Sequence, residues 1–372
     1  MKKRNFIYLI GFFFIVSCKK EYVPAAITAA NNYLVVDGFI NANTNGTTTF
    51  KLSRSRNLVD TVVSIPELNA QISVESKSGN LYSLKASASG TYSSTNLSLP
   101  QTDQYRIDIK TSDGHQYTSD FVAIKTTPPI DSITWVQNGD VTLFVNSHDP
   151  TNSTKYYKWD FVETWEYLSP LDAELGLVGN NIIYVDTTTQ THACWIDSLS
   201  THIITGTSAA LTSDVISHQP IQTIVKDDER LTTRYSILLN QYAITLDAYN
   251  YWQVIEKNSQ QLGSLFDVQP SQLTGNIHCT TNPAEPVIGF IGASSTQQKR
   301  IFINHGDVVN WTTYIPHLEC NETTIASGYT YNYPDPTYSP YYFAAMGILV
   351  IAKKECVDCR VRGGVTTTPS FW

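Results

Sequence analysis

Two neighbouring stretches decide the fold: Tyr33-Leu-Val-Val-Asp-Gly-Phe-Ile40 and Thr47-Thr-Thr-Phe-Lys-Leu52. The first is rich in apolar and β-branched residues, and the second alternates polar with apolar side chains, as a strand with one buried face does. Between them lies Asn45-Gly46, a dipeptide that favours a tight hairpin turn. Residues 33–52 therefore predict a β-hairpin.

Short strands continue at a regular spacing as far as residue 127. Strands are predicted at 70–75, 81–85, 105–109 and 117–124, and turn residues such as Asp113-Gly114 separate them. This spacing predicts an N-terminal immunoglobulin-like β-sandwich over residues 33–127. The rigid sequence Thr126-Thr127-Pro128-Pro129 suits a domain boundary.

Residues 130–372 predict a larger β-rich domain. Its first strands are predicted at 132–136, 141–145 and 156–164. One segment, near 246–262, has helical spacing, because Ala248, Trp252 and Ile255 recur on one face; Thr245 can cap its start and Gly263 can end it. The chain is thus predicted to be mainly β with one amphipathic helix.

The start of the chain predicts a targeting signal. Lys2-Lys3-Arg4 precedes an apolar run too short to span a bilayer. The sequence Ile15-Val16-Ser17-Cys18 then resembles a bacterial lipobox, which predicts a signal peptide at 1–17, lipidation of Cys18 and a tether at 18–32. An ordinary cleaved signal is the other interpretation.

Composition excludes one class of partner. The 372 residues carry a formal charge of −8, and the basic start contributes three of the cations. Nucleic-acid binding depends on clustered Lys and Arg, so no nucleic-acid partner is expected. No cofactor is predicted.

The other five cysteines favour disulfides, because a secreted context is oxidising. The preferred assignment leaves Cys194 unpaired and takes as disulfide candidates Cys279, Cys320, Cys356 and Cys359. Their connectivity stays open. The competing interpretation is a zinc site made from His317, Cys320, Cys356 and Cys359, and it is less favoured in that compartment.

Catalytic signatures are missing from the sequence. There is no Gly-x-Ser-x-Gly elbow, His-Glu-x-x-His helix, Walker loop or dinucleotide-binding glycine pattern, and the eight histidines are scattered. His192 and Cys194 lie two residues apart, as neighbours on one strand face do by default. The acidic run Asp227-Asp228-Glu229-Arg230 is interpreted as a solvated turn. The chain is predicted not to be an enzyme.

A tyrosine-rich stretch is the most unusual candidate for an interface. Repeated prolines within 329–342 predict a long loop. Tyrosine suits both ligand contact and covering a sheet, and the two interpretations stay open. The candidate residues are Tyr329, Tyr331, Tyr333, Tyr338, Tyr341 and Tyr342.

Four short segments resemble the O-glycosylation acceptor of Bacteroidetes envelope proteins. Each begins with Asp followed by Thr or Ser. The possible acceptors are Thr61, Ser132, Thr187 and Ser198.

Several blocks together resemble a family of Bacteroidetes outer-membrane lipoproteins that contain a domain of unknown function (DUF4249-like). They occur in order along the chain: residues 33–40, 159–165, 234–238, 275–279, 287–290 and a C-terminal set formed by 356–360, 363–364 and 369–372. The resemblance implies no catalytic residues. It implies proteins that accompany TonB-dependent receptors.

The expected role is non-catalytic binding or assembly at the outer membrane, accessory to a TonB-dependent receptor. The alternatives are a surface lipoprotein that binds a glycan or a peptide, and an uncharacterised hydrolase. Only one acid, Glu21, closely follows Cys18, so the face of the membrane stays open.

Overall fold

The computed structural model describes residues 32–56, 65–260, 275–312, 319–325, 335 and 337–372. Cys18, the signal peptide and most of the tether lie outside these residues. The described chain consists mainly of antiparallel β-sheets, so the prediction of a mainly β fold is confirmed.

Alternation of side chains produces the strands of the first part of the chain. In the second strand, Thr48, Phe50 and Leu52 are buried while Thr49 and Lys51 are exposed. The strands are β1 (Leu34–Asn41), β2 (Thr47–Arg54), β3 (Ile65–Pro66), β4 (Gln71–Ser76), β5 (Leu81–Ser83), β6 (Lys85–Ala86), β7 (Thr91–Thr95), β8 (Gln104–Lys110), β9 (Gln116–Ser119) and β10 (Val122–Ala123).

The described residues of the second part form longer strands and two α-helices. The strands are β11 (Ile130–Asn138), β12 (Asp140–His148), β13 (Tyr156–Leu168), β14 (Leu175–Val178), β15 (Asn181–Tyr184), β16 (Ala193–Leu199), β17 (Ile204–Thr207), β18 (Val215–Ile224), β19 (Arg234–Ala243), β20 (Ile277–Cys279), β21 (Ala293–Ser294), β22 (Thr296–Asn304), β23 (Glu322–Thr324), β24 (Tyr338–Ala344) and β25 (Ile348–Lys353). The helices are α1 (Leu246–Gln260) and α2 (Lys354–Val357).

Two sheets share the N-terminal core. The first has the order β21-β1-β2-β7-β6, with β3 beside β2, and the second has the order β20-β9-β8-β4-β5, with β10 beside β8. Phe50 and Leu52 from the first sheet and Ile107 and Tyr117 from the second belong to one buried cluster. The two sheets therefore form a sandwich; the immunoglobulin-like strand order stays a prediction.

A segment from the second part of the chain returns to complete this sandwich. Strand β20 pairs antiparallel with β9, and β21 pairs parallel with β1. Ile277 and Ile291 enter the sandwich core. A Cβ atom on Gly275 would collide with the carbonyl oxygen of Gly289, so glycine permits the close approach of the two backbones.

The returning segment differs from the predicted domain organisation, which assigned 130–372 to one continuous domain. Residues 276–294 belong to the sandwich core, because they cover the edge strands β1 and β9. An uncovered edge strand exposes backbone N–H and C=O groups without hydrogen-bond partners, and strands β20 and β21 supply such partners to β9 and β1.

The second core lies between a sheet of order β11-β12-β18 and a sheet of order β16-β13-β19-β22, in which β17 also pairs with β13. Trp159 on β13 is fully buried there. Its indole nitrogen donates a hydrogen bond of 2.8 Å to Gln241 Oε1. A smaller sheet of order β23-β25-β24 and the hairpin β14-β15 lie toward the end of the chain.

Helix α1 confirms the predicted helix. The Ala248 amide donates to the capping Thr245 hydroxyl at 3.2 Å. The buried face contains Ala248 and Tyr251, whereas Trp252 is half-buried. The predicted end at Gly263 lies outside the described residues. Among the described helices, none is long and apolar enough to cross a bilayer.

The cysteine pairing corrects the sequence-based assignment. Disulfides join Cys194 to Cys359 and Cys320 to Cys356, and Cys279 is a buried free thiol. Cys194 lies on β16 beside the turn that holds Cys359, whereas Cys279 is carried by β20 into the sandwich core. No feature of the sequence indicated that residues 277–279 pair with the sandwich and not with the second domain.

Candidate functional site

A cavity of about 280 Å³ lies between the sandwich and the sheet of order β16-β13-β19-β22. We call it the cleft. Its walls come from β1 and β2, residues 122–125, strands β13 and β19, helix α1, and the returning residues 290–294. The returning segment therefore forms part of the wall of the cleft.

Lys158 is the central cation of the cleft. Its Nζ lies 4.7 Å from the ring centroid of Trp252 and 5.4 Å from that of Tyr242. The same nitrogen is 3.8 Å from Asp160 Oδ2. Lys158 and Asp160 project from the same face of β13, because side chains two residues apart on a strand share a face.

The local register explains this arrangement. Lys158 on β13 lies opposite Tyr242 on β19. The alternate residues of β13, Trp159 and Phe161, face the second core and anchor the strand. Buried aromatic residues therefore fix the position of the half-buried Lys158 and Asp160.

Tyr242 is held as a neutral hydrogen-bond donor. Burial raises the pKa of its phenol, and the charge and hydrogen bond of Asp160 raise the pKa further. Its ring also contacts Phe39 edge-on, with centroids 4.8 Å apart. The Tyr242 ring thus forms an aromatic wall that Phe39 and the ammonium of Lys158 both approach.

The cleft has more cationic than anionic side chains. Lys51, Lys125 and Lys158 line it together with Asp37 and Asp160. Among the described residues, no carboxylate forms a salt bridge with Lys51 or Lys125. Their charge remains available to an anionic ligand.

Gly38 lets the β1 backbone approach β2 closely beside the cleft. Its φ is +144°, and a Cβ atom there would collide with the carbonyl oxygen of Thr49. The adjacent Phe39, together with Phe290 and Ile244, gives the cleft an apolar lining. Apolar walls with a few polar groups are typical of ligand sites.

The polar side chains that line the cleft include lysines, aspartates, threonines and a serine. No His or Cys is among the residues that line the cleft.

A polar groove of about 700 Å³ adjoins the cleft on the other side of Phe39 and Tyr242. Its lining is rich in amide side chains, including Asn43, Asn240 and Gln298. Gln298 Nε2 donates to Asn240 Oδ1 at 2.8 Å. Amide groups of this kind hydrogen-bond to hydroxyl-rich ligands.

The tyrosine-rich stretch is only partly described. Tyr329, Tyr331 and Tyr333 lie outside the described residues. Tyr338, Tyr341 and Tyr342 lie on β24, so the prediction of a loop is wrong for the second half of the stretch. Strand β24 is at the edge of its sheet, where proline is tolerated, and its register shifts between Pro340 and Tyr342.

These tyrosines have different environments. Tyr341 packs against a buried cluster that contains Ala352 and Val357. The Tyr342 hydroxyl donates to Glu322 Oε2 at 3.1 Å, and this bond raises the pKa of Tyr342. Tyr341 thus covers the sheet, as one of the two interpretations predicts.

The competing interpretation of these cysteines as a zinc site is wrong, because the disulfides remove its ligands. Cys320, Cys356 and Cys359 are all in disulfides, and His317 lies outside the described residues. A thiol nucleophile at Cys194 is excluded for the same reason. His192 Nδ1 instead lies 3.1 Å from Ser169 Oγ.

The possible glycosylation acceptors differ in accessibility. Thr187 is exposed in a turn that Asp186 organises, whereas Ser132 and Ser198 are half-buried. The Ser132 hydroxyl accepts a hydrogen bond from Asn146. Thr61 lies outside the described residues.

The acidic run 227–230 is more than a solvated turn. Arg230 bonds to Asp228 and reaches the buried carboxylate of Glu163 at 2.9 Å. The Tyr235 hydroxyl donates to the same Glu163 oxygen at 2.7 Å. These contacts connect the turn to the second core.

Sequence reasoning did not identify the cleft. Lys158 and Asp160 alternate with buried aromatic residues, which is also the pattern of any solvated strand face. This strand face differs from a solvated one only because Trp252 and residues 290–294 pack near it. No pattern in the local sequence indicates either of these contacts.

Known proteins provide one informative comparison. A family model described as "Domain of unknown function (DUF4249)" matches residues 19–300. No curated protein matches the chain. Among solved structures, the adhesin InvE of Yersinia pseudotuberculosis is similar at 14% identity over 57% of this chain and 55% of that chain. Its TM-score of 0.14 is too low to inform on fold or function.

The family match covers most of the chain, including the sandwich, helix α1 and the returning segment. It stops before the C-terminal block at 356–372. The chain belongs to the DUF4249 family.

Proposed function

We propose that this protein is a non-catalytic binding protein whose ligand occupies the cleft. The ligand class that suits the lining is a small molecule or peptide end with an apolar body and a carboxylate. The observation that supports this most is Lys158, which sits between two aromatic rings beside an apolar cavity.

The cationic side chains provide the polar half of this recognition. A carboxylate entering the cleft would meet the ammonium of Lys158, with Lys51 and Lys125 nearby. Phe39, Phe290 and Trp252 would contact the apolar body.

The test is calorimetric titration of the full chain with two matched probes. One is acetyl-Leu-Phe with a free carboxylate, and the other is the same dipeptide as its amide. We expect the free acid to bind at least about tenfold more tightly, since one charge-assisted hydrogen bond contributes about 1.5–3 kcal/mol. Equal affinities, or no binding of either probe, would contradict the proposal.

A pair of variants locates the site. Lys158→Met keeps the aliphatic stem and removes the charge, so it should abolish the preference for the free acid. Lys85→Met removes an exposed lysine on β6, outside the cleft, and should leave both affinities unchanged.

A glycan is the second candidate ligand, and the amide-rich groove beside the cleft favours it. Binding of a neutral oligosaccharide, weakened by Asn240→Ala and unaffected by Lys158→Met, would place the glycan in the groove.

We also propose that the protein is anchored to the outer membrane through lipid on Cys18 and accompanies a TonB-dependent receptor. The lipobox-like sequence supports the anchor, and the family resemblance supports the partner. Exposed apolar side chains between β15 and β24 offer a surface for a protein partner: Tyr184 and Phe343 have ring centroids 6.3 Å apart, and Met346 is 98% exposed.

Labelled palmitate tests the anchor, and affinity capture from gently solubilised membranes tests the partner. We expect palmitate in the wild-type chain but not in Cys18→Ser, and recovery of a receptor with the wild-type protein. Membrane retention of Cys18→Ser would reject the anchor. Capture of the protein alone would reject the companion role.

A further inference from the structure

A second group of reactive side chains lies at one end of the sandwich, apart from the cleft. His115, Cys279 and Glu285 place one nitrogen, one sulfur and one carboxylate oxygen within 4.8 Å of one another. Among the described residues, Cys279 is the only free cysteine.

The returning segment assembles this group. Cys279 is paired with Tyr117 in the register between β20 and β9, and His115 immediately precedes β9. The turn after β20 then brings Glu285 back over the strand end, with its amide bonded to the Asn282 carbonyl at 2.9 Å. His115 therefore lies close to Cys279 and Glu285, which are 164 and 170 positions further along the chain.

The distances between these atoms are close to those between the ligand atoms of a metal site. His115 Nδ1 is 3.0 Å from Glu285 Oε2, and Cys279 Sγ is 3.7 Å from the same oxygen. Tetrahedral zinc with bonds of about 2.0–2.3 Å separates its ligand atoms by about 3.3–3.7 Å. Small side-chain adjustments would bring all three atoms to bonding distance.

The charges around the group are also compatible with a cation. A thiolate and a carboxylate would balance Zn²⁺, while His115 binds as a neutral imidazole. The nearby Arg54 is 3.8 Å from Glu285 Oε1, but its main partner is Glu67 at 2.6 Å. The Tyr117 hydroxyl donates to Glu285 Oε1 at 2.7 Å, which orients the carboxylate.

We propose that His115, Cys279 and Glu285 form a zinc site that fastens the returning segment to the sandwich. Three protein ligands leave a fourth position for water, and the half-exposed His115 gives access to solvent. The site is independent of the cleft, since none of its residues lines that cavity.

Cobalt substitution tests the proposal, because zinc has a filled d shell and gives no visible spectrum. The full chain carrying Cys18→Ser, with both disulfides intact, is titrated anaerobically with Co²⁺, and then with Zn²⁺ as competitor. We expect one equivalent of Co²⁺ to produce a thiolate-to-metal charge-transfer band that Zn²⁺ removes. Absence of the band would overturn the proposal.

Variants assign the ligands. Cys279→Ser should abolish the band, and His115→Ala should weaken metal binding at least tenfold. His278→Ala, on the exposed face of β20, is the matched control and should bind like the wild type. Near-ultraviolet circular dichroism checks that each variant is folded. A band that persists in Cys279→Ser, or wild-type affinity in folded His115→Ala, would also overturn the proposal.

Discussion

Lys158 lies over the ring of Trp252, with Nζ 4.7 Å from the ring centroid, although the two residues come from different elements of the second domain. One side chain belongs to β13 and the other to α1. Their contact joins helix α1 to the sheet and contributes the cationic, aromatic wall of the cleft.

A double-mutant cycle should detect this contact. Lys158→Met and Trp252→Leu should show a coupling free energy of about 1 kcal/mol in urea unfolding, because the lysine is largely shielded from water. Lys85→Met with Trp252→Leu is the control pair and should be additive. Additivity in both pairs would show that the ring does not stabilise the ammonium.

Two arginines with the same local contacts should differ in their effect on stability. Arg230 and Arg360 each bond through the backbone amide and the guanidinium to an aspartate two residues earlier. Only Arg230 also reaches a buried carboxylate, Glu163. Arg230→Met should lower the free energy of unfolding by about 3–5 kcal/mol, because it leaves a buried charge without its ion-pair partner.

The matched variant Arg360→Met removes an exposed ion pair and should cost less than about 1 kcal/mol. Chemical denaturation measures both variants. Equal losses of unfolding free energy in the two variants would mean that the buried carboxylate of Glu163 does not need Arg230 as its ion-pair partner.

The two disulfides should contribute unequally. Cys194 and Cys359 are 165 residues apart, whereas Cys320 and Cys356 are 36 apart. The chain-entropy model gives about 5 kcal/mol for the longer loop and about 4 kcal/mol for the shorter one. Serine replacement of each pair, followed by urea unfolding, should therefore destabilise the 194–359 variant more, and the reverse order would contradict the entropic account.

Asp149 should make stability depend on pH. Burial alone would raise the pKa of this carboxyl, but hydrogen bonds from the hydroxyl and amide of Thr151, and from Ser153 and Thr154, outweigh burial and lower it. A group with a lowered folded-state pKa stabilises the fold above its unfolded pKa of about 3.9 and loses that contribution as pH falls toward the folded value.

Wild type and Asp149→Asn should therefore differ most in unfolding free energy at pH 5–7. The difference should shrink as the pH is lowered below about 4. Urea unfolding of both proteins at several pH values measures it. A difference that stays constant down to pH 2.5 would contradict the assignment.

Local pattern was sufficient for the strands. Residues such as Thr48, Phe50 and Leu52 alternate clearly, and nearly every strand predicted from alternation is present. Helix α1 was also predictable, since its capping threonine and apolar spacing are local features.

Long-range pairing was not predictable. The three-residue strand β20 has no periodicity of its own, and its place beside β9 depends on an edge that only the folded sandwich presents. The part of the cleft wall at 290–294 and the position of the free Cys279 follow from that pairing. The disulfide of Cys194 follows from the approach of the C-terminal residue Cys359 to β16. The prolines within 329–342 led to the prediction of a loop, but residues 338–342 belong to the edge strand β24, where proline is tolerated.

Hydrogen exchange with mass spectrometry, with and without saturating acetyl-Leu-Phe, is the most direct test of the cleft as the ligand site. The account predicts slower exchange at residues 37–39, 242–252 and 290–294, and no change at 338–344. Protection confined to 338–344, or no protection anywhere, would contradict it.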